Sequence, residues 1–238
     1  MALVDRLLPQ LFHLLLPERC SLCQRASAGP VCAECRADLP WNRSACPRCA
    51  RPQESGPGQH GGHICATCAE SPPPFDLGWS AFRYQTPIDQ AVQGLKYHAG
   101  FRSAYWLGLE MARALAQRPQ PLPQLLLPVP LHANRLRRRG YNQALELART
   151  LGRALTIEVD ARGVRRLRAT EDQIGKSAAE RRRNVKGAFA VDGARLSGRH
   201  IALVDDVMTT GSTLAELARA CRKAGAARIE VWTAARAV

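Results

Sequence analysis

Short apolar runs alternate with segments of helical periodicity from residue 79 onwards. Continuous apolar runs predict buried strands of a parallel sheet at residues 124–131, 201–204 and 228–235. Shorter runs predict two further strands at residues 164–168 and 187–191. Helical spacing of apolar residues predicts helices at residues 91–97, 103–116 and 141–154. Together these elements predict an α/β fold, with a mostly parallel sheet and flanking helices.

The stretch HIALVDDVMTTGST, residues 200–213, combines a buried strand with polar chemistry. Asp205 and Asp206 follow the apolar run, at the carboxyl end of the strand, where open α/β sheets bind ligands. Apolar residues from Leu214 to Ala224 predict a helix that starts just after Gly211, with Ser212 or Thr213 near its N-cap, and ends at Gly225. The backbone N–H groups at such a helix start bind phosphate. This strand, helix and following strand predict one βαβ unit with an anion-binding loop, formed by Thr209, Thr210, Gly211, Ser212 and Thr213.

Positive charge is concentrated near the predicted ligand edge. The formal net charge is +14, and residues 135–186 hold 15 Lys/Arg against 6 Asp/Glu. Within HANRLRRRG, four arginines are expected in a loop or first helical turn after a strand, where they either grip pyrophosphate or form a solvated cluster: Arg135, Arg137, Arg138 and Arg139. Such a basic region favours nucleotide, pyrophosphate or nucleic-acid partners.

Two further polar segments are candidates for ligand contact. Lys96 and His98 lie at a break between predicted helices, where they either touch a phosphate or cap a helix end. Residues 169–186 are polar and weakly periodic, and they form either a lid over a ligand or a plain surface loop. The lid candidates are Gln173, Gly175, Lys176, Ser177, Arg181 and Asn184.

The first 70 residues contain eight of the nine cysteines, arranged as four C-x2-C pairs. Paired knuckles of this kind are typical of closed structural zinc sites, and neighbouring pairs are the simplest partners, although cross-bracing and a disulfide framework are alternatives. The predicted ligand sets are Cys20, Cys23, Cys32 and Cys35 for one ion, and Cys46, Cys49, Cys65 and Cys68 for the other. His60 and His63 are not assigned as ligands, and Cys221 is expected in the core rather than as a nucleophile.

Composition predicts an N-terminal helix with the double zinc ribbon at residues 1–70, a proline-rich linker at 71–78 and an α/β domain at 79–238. No apolar run reaches the roughly 18 residues of a membrane helix. Asp5 and Pro9 argue against a signal peptide in residues 1–16, so a docked or surface helix and a cytoplasmic protein are expected. The alternative for this segment is membrane association through its leucines and Phe12.

The sequence VDDVMTTGST resembles the phosphoribosyl-pyrophosphate (PRPP) motif of type I phosphoribosyltransferases. The resemblance implies that Asp205 and Asp206 bind the ribose hydroxyls and are the candidate catalytic residues, since they can stabilise an oxocarbenium-like transition state. It also implies that Thr209 to Thr213 hold the 5′-phosphate, that Arg135 and Arg139 lie near the pyrophosphate, and that Mg²⁺ bridges pyrophosphate and ribose. Purine-salvage relatives carry an aspartate just before the TG of the motif, where this chain has Thr209, and a hydroxyl is a poor general base.

The order of motifs along the whole chain narrows the resemblance. The cysteine pairs are followed by LKYHAG, PVPLHANRLRRRGYNQALELAR, QIGKSAAERRRNVKGAF and the PRPP motif, and this arrangement is similar to the ComF proteins of bacterial competence. The resemblance implies a cytosolic protein with zinc ribbons before a phosphoribosyltransferase-like domain. It further implies a role in internalising or processing single-stranded DNA beside a helicase-like partner. Two alternatives are a phosphoribosyltransferase of nucleotide metabolism with an unidentified acceptor, and a PRPP-sensing adaptor.

Overall fold

The computed structural model describes residues 18–54, 62–95, 100–168 and 185–237. Its main sheet has five strands in the order β1-β7-β6-β2-β3, and every neighbouring pair is parallel. A separate antiparallel pair is formed by β4 and β5. The strands are β1 (Leu77–Arg83), β2 (Leu125–Pro128), β3 (Glu158–Val159), β4 (Val164–Arg166), β5 (Phe189–Val191), β6 (His200–Met208) and β7 (Arg228–Arg236). The predicted α/β fold is therefore confirmed.

The helices lie largely where apolar periodicity placed them. α4 and α6 pack against each other, and α6 also covers β2 and β6, whereas α7 contacts β5, β6 and β7. The bounds are α1 (Ala33–Ala37), α2 (Ala66–Glu70), α3 (Ile88–Gly94), α4 (Gly100–Ala116), α5 (Ala133–Arg139), α6 (Gln143–Leu155) and α7 (Ser212–Lys223).

The central position of β6 follows from its composition. Residues 201–204 are fully buried, as expected for a strand with a neighbour on each side and helices on its faces. The strand continues through both aspartates to Met208, beyond the apolar run that predicted it. β6, α7 and the adjacent parallel β7 form the predicted βαβ unit, and Gly225 follows α7 with a φ of 95°.

One local prediction needs correction. The arginines after β2 are expected in a loop or in the first turn of a helix, and residues 133–139 instead form a separate short helix, α5, before Gly140. The imidazole Nδ1 of His132 accepts a hydrogen bond from the backbone N–H of Asn134 at the helix start, and Gly140 ends the helix with a φ of 83°. These two caps stabilise α5, whose sequence lacks the apolar periodicity that would predict a helix.

Contacts divide the chain into two compact units, Met1–Leu39 and Pro40–Val238. The first cysteine cluster belongs to the first unit, and the second cluster belongs to the unit that contains the sheet. Within that second unit, the backbone N–H of Asn42 donates to the Ala81 carbonyl, and the Trp41 ring lies 4.6 Å from the Phe82 ring. The boundaries at residues 70 and 78 stay a prediction about sequence modules. Within the described residues, no helix is long and apolar enough to cross a membrane.

Candidate functional site

The carboxylates of Asp205 and Asp206 lie at the carboxyl end of the central strand. Each carboxylate accepts a hydrogen bond from the next backbone N–H through Oδ1, Asp205 from Asp206 at 2.9 Å and Asp206 from Val207 at 2.8 Å. Burial raises the pKa of Asp205 well above its usual range, and the negative charge of Asp206 raises it further. The two carboxyl groups are therefore close enough to interact, and their mutual repulsion disfavours a doubly ionised pair without a cation or hydrogen-bond donors.

Arg166 on β4 faces this acidic pair. Its guanidinium lies over the Phe189 ring, 5.6 Å from the centroid, which fixes the side chain against the neighbouring strand β5. Burial lowers the pKa of Arg166, the positive charge of Arg135 lowers it further, and Asp205 opposes this shift. Arg166 is thus close enough to both Arg135 and Asp205 to interact electrostatically with them. Sequence reasoning assigned the strand but missed Arg166, because an arginine in a charged run gives no signal of its orientation.

The predicted phosphate loop joins β6 to α7. Gly211 is the N-cap of α7 and has a φ of 72°, a left-handed conformation that side chains rarely adopt. Thr210 Oγ1 donates to Ser212 Oγ at 3.1 Å, and it also accepts a 3.4 Å hydrogen bond from the Ser212 backbone N–H. The first helical residue is Ser212, so the helix begins one position earlier than a cap at Ser212 or Thr213 would place it. The loop therefore directs the amino end of α7 toward the strand edge where Asp205 and Asp206 lie.

The arginines of α5 occupy different environments. Arg135 is half-buried, and its positive charge is close enough to Arg166 to lower the pKa of that residue. Arg139 lies near Tyr141, where burial raises the pKa of the phenol and the charge of Arg139 opposes the increase. Arg137 donates to Asn134 Oδ1 at 2.5 Å, and both Arg137 and Arg138 are exposed. Arg135 therefore lies within electrostatic reach of Arg166, whereas Arg137 and Arg138 form an exposed basic surface.

An aromatic contact anchors the segment after α5. The Tyr141 hydroxyl donates to the Leu95 carbonyl, and its ring lies 5.1 Å from the Phe101 ring. Asn142 caps α6 through the backbone N–H of Ala144 and donates its side-chain amide to the Val129 carbonyl at 3.0 Å. These contacts tie both ends of α5 to the sheet and to α4, so the basic surface is held in a fixed position.

Each cysteine cluster has the dimensions of a metal site. In both, the four sulfur atoms lie within 4.8 Å of one another, and the ligand sets are the sequential ones predicted above. The Cys23 and Cys32 sulfurs are 3.8 Å apart, and those of Cys49 and Cys65 are 3.7 Å apart. A tetrahedron with Zn–S bonds of about 2.3 Å has edges of about 3.8 Å, so these spacings fit zinc. The cysteines are free thiols, and the disulfide alternative is wrong.

Backbone donors prepare two of these thiols for metal binding. The N–H groups of Cys32 and Cys65 donate to the sulfurs of Cys20 and Cys46, each at 3.4 Å. Burial alone would raise the pKa of Cys20, but the surrounding backbone N–H groups outweigh it and lower the value to about 6. The same balance lowers the pKa of Cys46 to about 7. Both clusters therefore hold a sulfur that ionises near neutral pH, the form that binds a metal.

Several sequence candidates have other outcomes. Cys221 is fully buried in the core, and this burial raises its pKa to about 12, so its assignment to the core is confirmed. His63 is exposed and outside the second cysteine cluster. The remaining candidates lie outside the described residues: Lys96, His98, His60, the segment 1–16, and the lid residues Gln173, Gly175, Lys176, Ser177, Arg181 and Asn184.

Comparison with known families matches both halves of the chain. Residues 11–69 match the double zinc ribbon domain, and residues 136–237 match the phosphoribosyl transferase domain. Among solved structures, the B. subtilis glutamine PRPP amidotransferase is 17% identical, with a TM-score of 0.43, and the alignment covers 67% of this chain and 32% of that chain. That similarity is too distant to inform function.

Two curated relatives match almost from end to end. The DNA utilization protein YhgH of Escherichia coli (strain K12) is 34% identical over 226 residues, which is 92% of this chain and 97% of the relative. Competence protein F of Haemophilus influenzae is 36% identical over 236 residues, which is 94% of this chain and 93% of the relative. The identity to both relatives over nearly the full length, together with the double zinc ribbon and phosphoribosyl transferase matches of this chain, places it in the ComF family.

Proposed function

We propose that this protein binds PRPP together with Mg²⁺, or a closely related phosphate, at the carboxyl edge of its parallel sheet. One observation carries the proposal: a half-buried acidic pair lies near the carboxyl end of the central strand, and a left-handed Gly211 opens helix α7 shortly after that strand ends. Acidic groups that can bind ribose hydroxyls thus lie beside backbone donors that can bind its 5′-phosphate.

The arginines near the acidic pair supply the complementary charge. Arg166 lies over the Phe189 ring and interacts electrostatically with both Arg135 and Asp205, so these two guanidinium groups are the candidates for contact with a pyrophosphate beside the acidic pair. Carboxylate oxygens are also the ligands that Mg²⁺ prefers, and the donor set fits this ion. Mg²⁺, when bound, neutralises charge on the pyrophosphate. The residues Asp205 and Asp206 hold the ribose side of the ligand.

The biological setting that we propose is the uptake or processing of single-stranded DNA during natural competence. The names of the two relatives, one a competence protein and the other a DNA utilization protein, support this setting. The exposed arginines of α5 also favour a polyanionic partner. A helicase-like partner, a cytoplasmic location and contact with DNA remain parts of this proposal.

Ligand binding is tested by calorimetry and thermal unfolding with PRPP and Mg²⁺. We expect saturable binding and a rise in Tm, because a ligand that binds only the native state stabilises it. Asp205→Asn/Asp206→Asn should abolish both effects. Asp192→Asn is a matched control, since Asp192 caps a short helix beside Val191, at the end of β5 away from Arg166. Binding that survives in the double variant would refute the assignment.

Contact with DNA is tested by its salt dependence. Single-stranded DNA should bind more weakly as salt increases, and Arg137→Ala/Arg138→Ala/Arg139→Ala should reduce the slope of log K against log salt by about 2, since each phosphate contact contributes about 0.7. A control variant removes the same charge elsewhere, through alanine at the exposed positions Arg149, Arg153 and Arg219. Equal slopes in both triple variants would assign the effect to net charge and contradict a binding surface on α5.

A transferase reaction is the second candidate, and the complete PRPP motif supports it. Asp205 and Asp206 are placed to stabilise positive charge developing on the ribose, whereas Thr209 offers no general base. An acceptor that arrives already ionised would meet this requirement. Pyrophosphate release should then appear when PRPP and Mg²⁺ are supplied with such an acceptor, and it should disappear in Asp205→Asn/Asp206→Asn. Binding without release across a panel of bases, base analogues and short DNA would favour a binding protein.

A further inference from the structure

A single buried arginine touches both the second cysteine cluster and the start of the phosphate loop. Arg236, near the carboxyl end of β7, is 5% exposed. Its Nε donates to the Cys49 carbonyl at 3.0 Å. Its Nη1 donates to the Met208 carbonyl at 2.9 Å, to the Thr209 carbonyl at 2.5 Å and to the Ala237 carbonyl. The guanidinium group therefore joins two parts of the chain that sequence motifs treat as separate.

The carbonyls that Arg236 binds belong to functional segments. Cys49 closes the first knuckle of the second cluster, and its sulfur lies 3.7 Å from that of Cys65. Met208 is the last residue of β6, and Thr209 is the first residue of the phosphate loop. Two hydrogen bonds from one charged group to consecutive carbonyls restrict the direction in which the chain leaves the strand, and this direction determines where the N–H groups of the loop lie.

The same knuckle is packed directly on the sheet. The backbone N–H of Gly78 on β1 donates to the Pro47 carbonyl at 3.0 Å, and a Cβ at position 78 would come within 2.6 Å of the Arg48 carbonyl oxygen. Only glycine permits this approach. The four thiols of the cluster are contributed by residues 46–49 and 65–68, so a metal that binds them also fixes the knuckle whose carbonyl Arg236 contacts.

We propose that Arg236 is a positioning residue that makes the conformation of the phosphate loop depend on metal occupancy of the second cysteine cluster. When a metal holds the knuckle, the Cys49 carbonyl fixes the position of the Arg236 Nε. The Arg236 Nη1 is then directed toward the carbonyls of Met208 and Thr209. When the metal is absent, the knuckle relaxes, and Arg236 loses a partner that fixes its orientation. The first cluster, in the other compact unit, has no part in this coupling. The inference rests on the proposed binding of PRPP.

Reciprocity provides a test on the unmodified protein. If metal in the second cluster favours PRPP binding, PRPP must raise the affinity of that cluster for metal by the same factor. Zinc-loaded protein is titrated with a chromogenic chelator, with and without PRPP and Mg²⁺, and the equilibrium release of each ion is measured as a phase of the titration. We expect PRPP to shift one of the two release phases to a higher chelator concentration and to leave the other unchanged. Cys23→Ser, in the first cluster, should alter only the phase that PRPP leaves unchanged.

Arg236 variants test the connection itself. Arg236→Met keeps the length of the side chain and removes its donors, whereas Arg236→Lys keeps the charge and at most part of the hydrogen bonding. Arg236→Met should weaken PRPP binding about tenfold, the effect of one or two hydrogen bonds to a charged group, and should make both release phases independent of PRPP. Arg236→Lys should lie between Arg236→Met and wild type. Zinc content and circular dichroism of each variant establish that it is folded and loaded.

The outcomes separate the two proposals. Wild-type protein that does not bind PRPP refutes the proposed function. Wild-type protein that binds PRPP, with two release phases that are both unaffected by it, overturns the coupling and leaves the proposed function standing. A folded, loaded Arg236→Met variant with wild-type affinity for PRPP also overturns it. Should that variant fail to fold, the release experiment on wild-type protein still decides the question.

Discussion

The substitution Asp205→Asn should stabilise the ligand-free protein and abolish its response to PRPP. Burial and the charge of Asp206 both raise the pKa of Asp205, so the ionised carboxyl destabilises the folded state at neutral pH. Two like charges about 4 Å apart repel by about 1 kcal/mol in water and by about 4 kcal/mol at an effective dielectric constant of 20. The lost attraction to Arg166 offsets part of this gain, which leaves a net stabilisation of about 1–2 kcal/mol.

The expected change is large enough to measure by thermal unfolding. For a chain of this length, each kcal/mol shifts Tm by about 2–4 °C, so Asp205→Asn should raise Tm by about 2–8 °C at pH 7.5. The contribution of Asp205 to stability changes with pH in the direction opposite to that of most carboxylates, whose pKa is lowered in the folded state. Because the folded pKa of Asp205 is raised, its contribution to stability is fully present below the unfolded pKa and is lost as pH rises through the folded pKa. The stabilisation by Asp205→Asn should therefore vanish near pH 4 and grow toward neutral pH.

Asp206→Asn supplies a control through a double-mutant cycle. Both single substitutions relieve the same repulsion, so the double variant should be less stable than the sum of the two effects predicts. An Asp205→Asn variant with an unchanged or lower Tm at neutral pH would refute the reasoning, and so would a stabilisation that persists at pH 4. Additive effects of the two substitutions would show that the carboxyl groups do not interact.

Three further predictions concern the rest of the molecule. Metal analysis of reduced protein should find two zinc ions per chain, and a content of zero would contradict the ribbon assignment. Glu230→Gln should lower the free energy of unfolding by about 3–5 kcal/mol, since it leaves the largely buried Arg118 side chain without its charged partner. PRPP affinity should not change, because Glu230 pairs in register with Ala202, three residues before Asp205 and toward the other end of β6. In native zinc-loaded protein, Cys221 should resist alkylation until the chain unfolds, because burial raises the pKa of its thiol to about 12, and rapid labelling at pH 7 would contradict its place in the core.

The sequence was sufficient for the features that depend on periodicity and spacing. Apolar runs located β2, β6 and β7, and the spacing of the four C-x2-C pairs predicted the two groups of four cysteines that the fold brings together. These signals are local, because a buried strand needs a continuous apolar run and a metal knuckle needs two cysteines at short separation. The helix α5 was missed because its seven residues are mostly polar and arginine-rich, and its stability depends on caps and on neighbouring anchors.

The features that the sequence could not reveal depend on the direction of single side chains. Arg166 and Arg236 each occur at the end of a strand in an arginine-rich chain, and nothing in the sequence distinguishes them from solvated arginines. Arg236 binds a carbonyl 187 residues away along the chain, a pairing that only tertiary structure specifies. The hydrogen bonds between the second cluster and the sheet are likewise not visible in the sequence.

The contact between residues 40–42 and β1 determines whether the edge of the sheet is covered, and this matters for a shortened chain that contains only the α/β part. β1 is an outer strand of the five-stranded sheet, and on its open side Arg83 donates to the Pro40 carbonyl while Asn42 donates to the Ala81 carbonyl. A chain shortened to begin at residue 79 would lack this cover and part of β1 itself, and the newly exposed edge would offer unpaired backbone groups to another copy. Residues 40–42 thus protect the sheet against edge-to-edge association, a role that is independent of any metal or ligand.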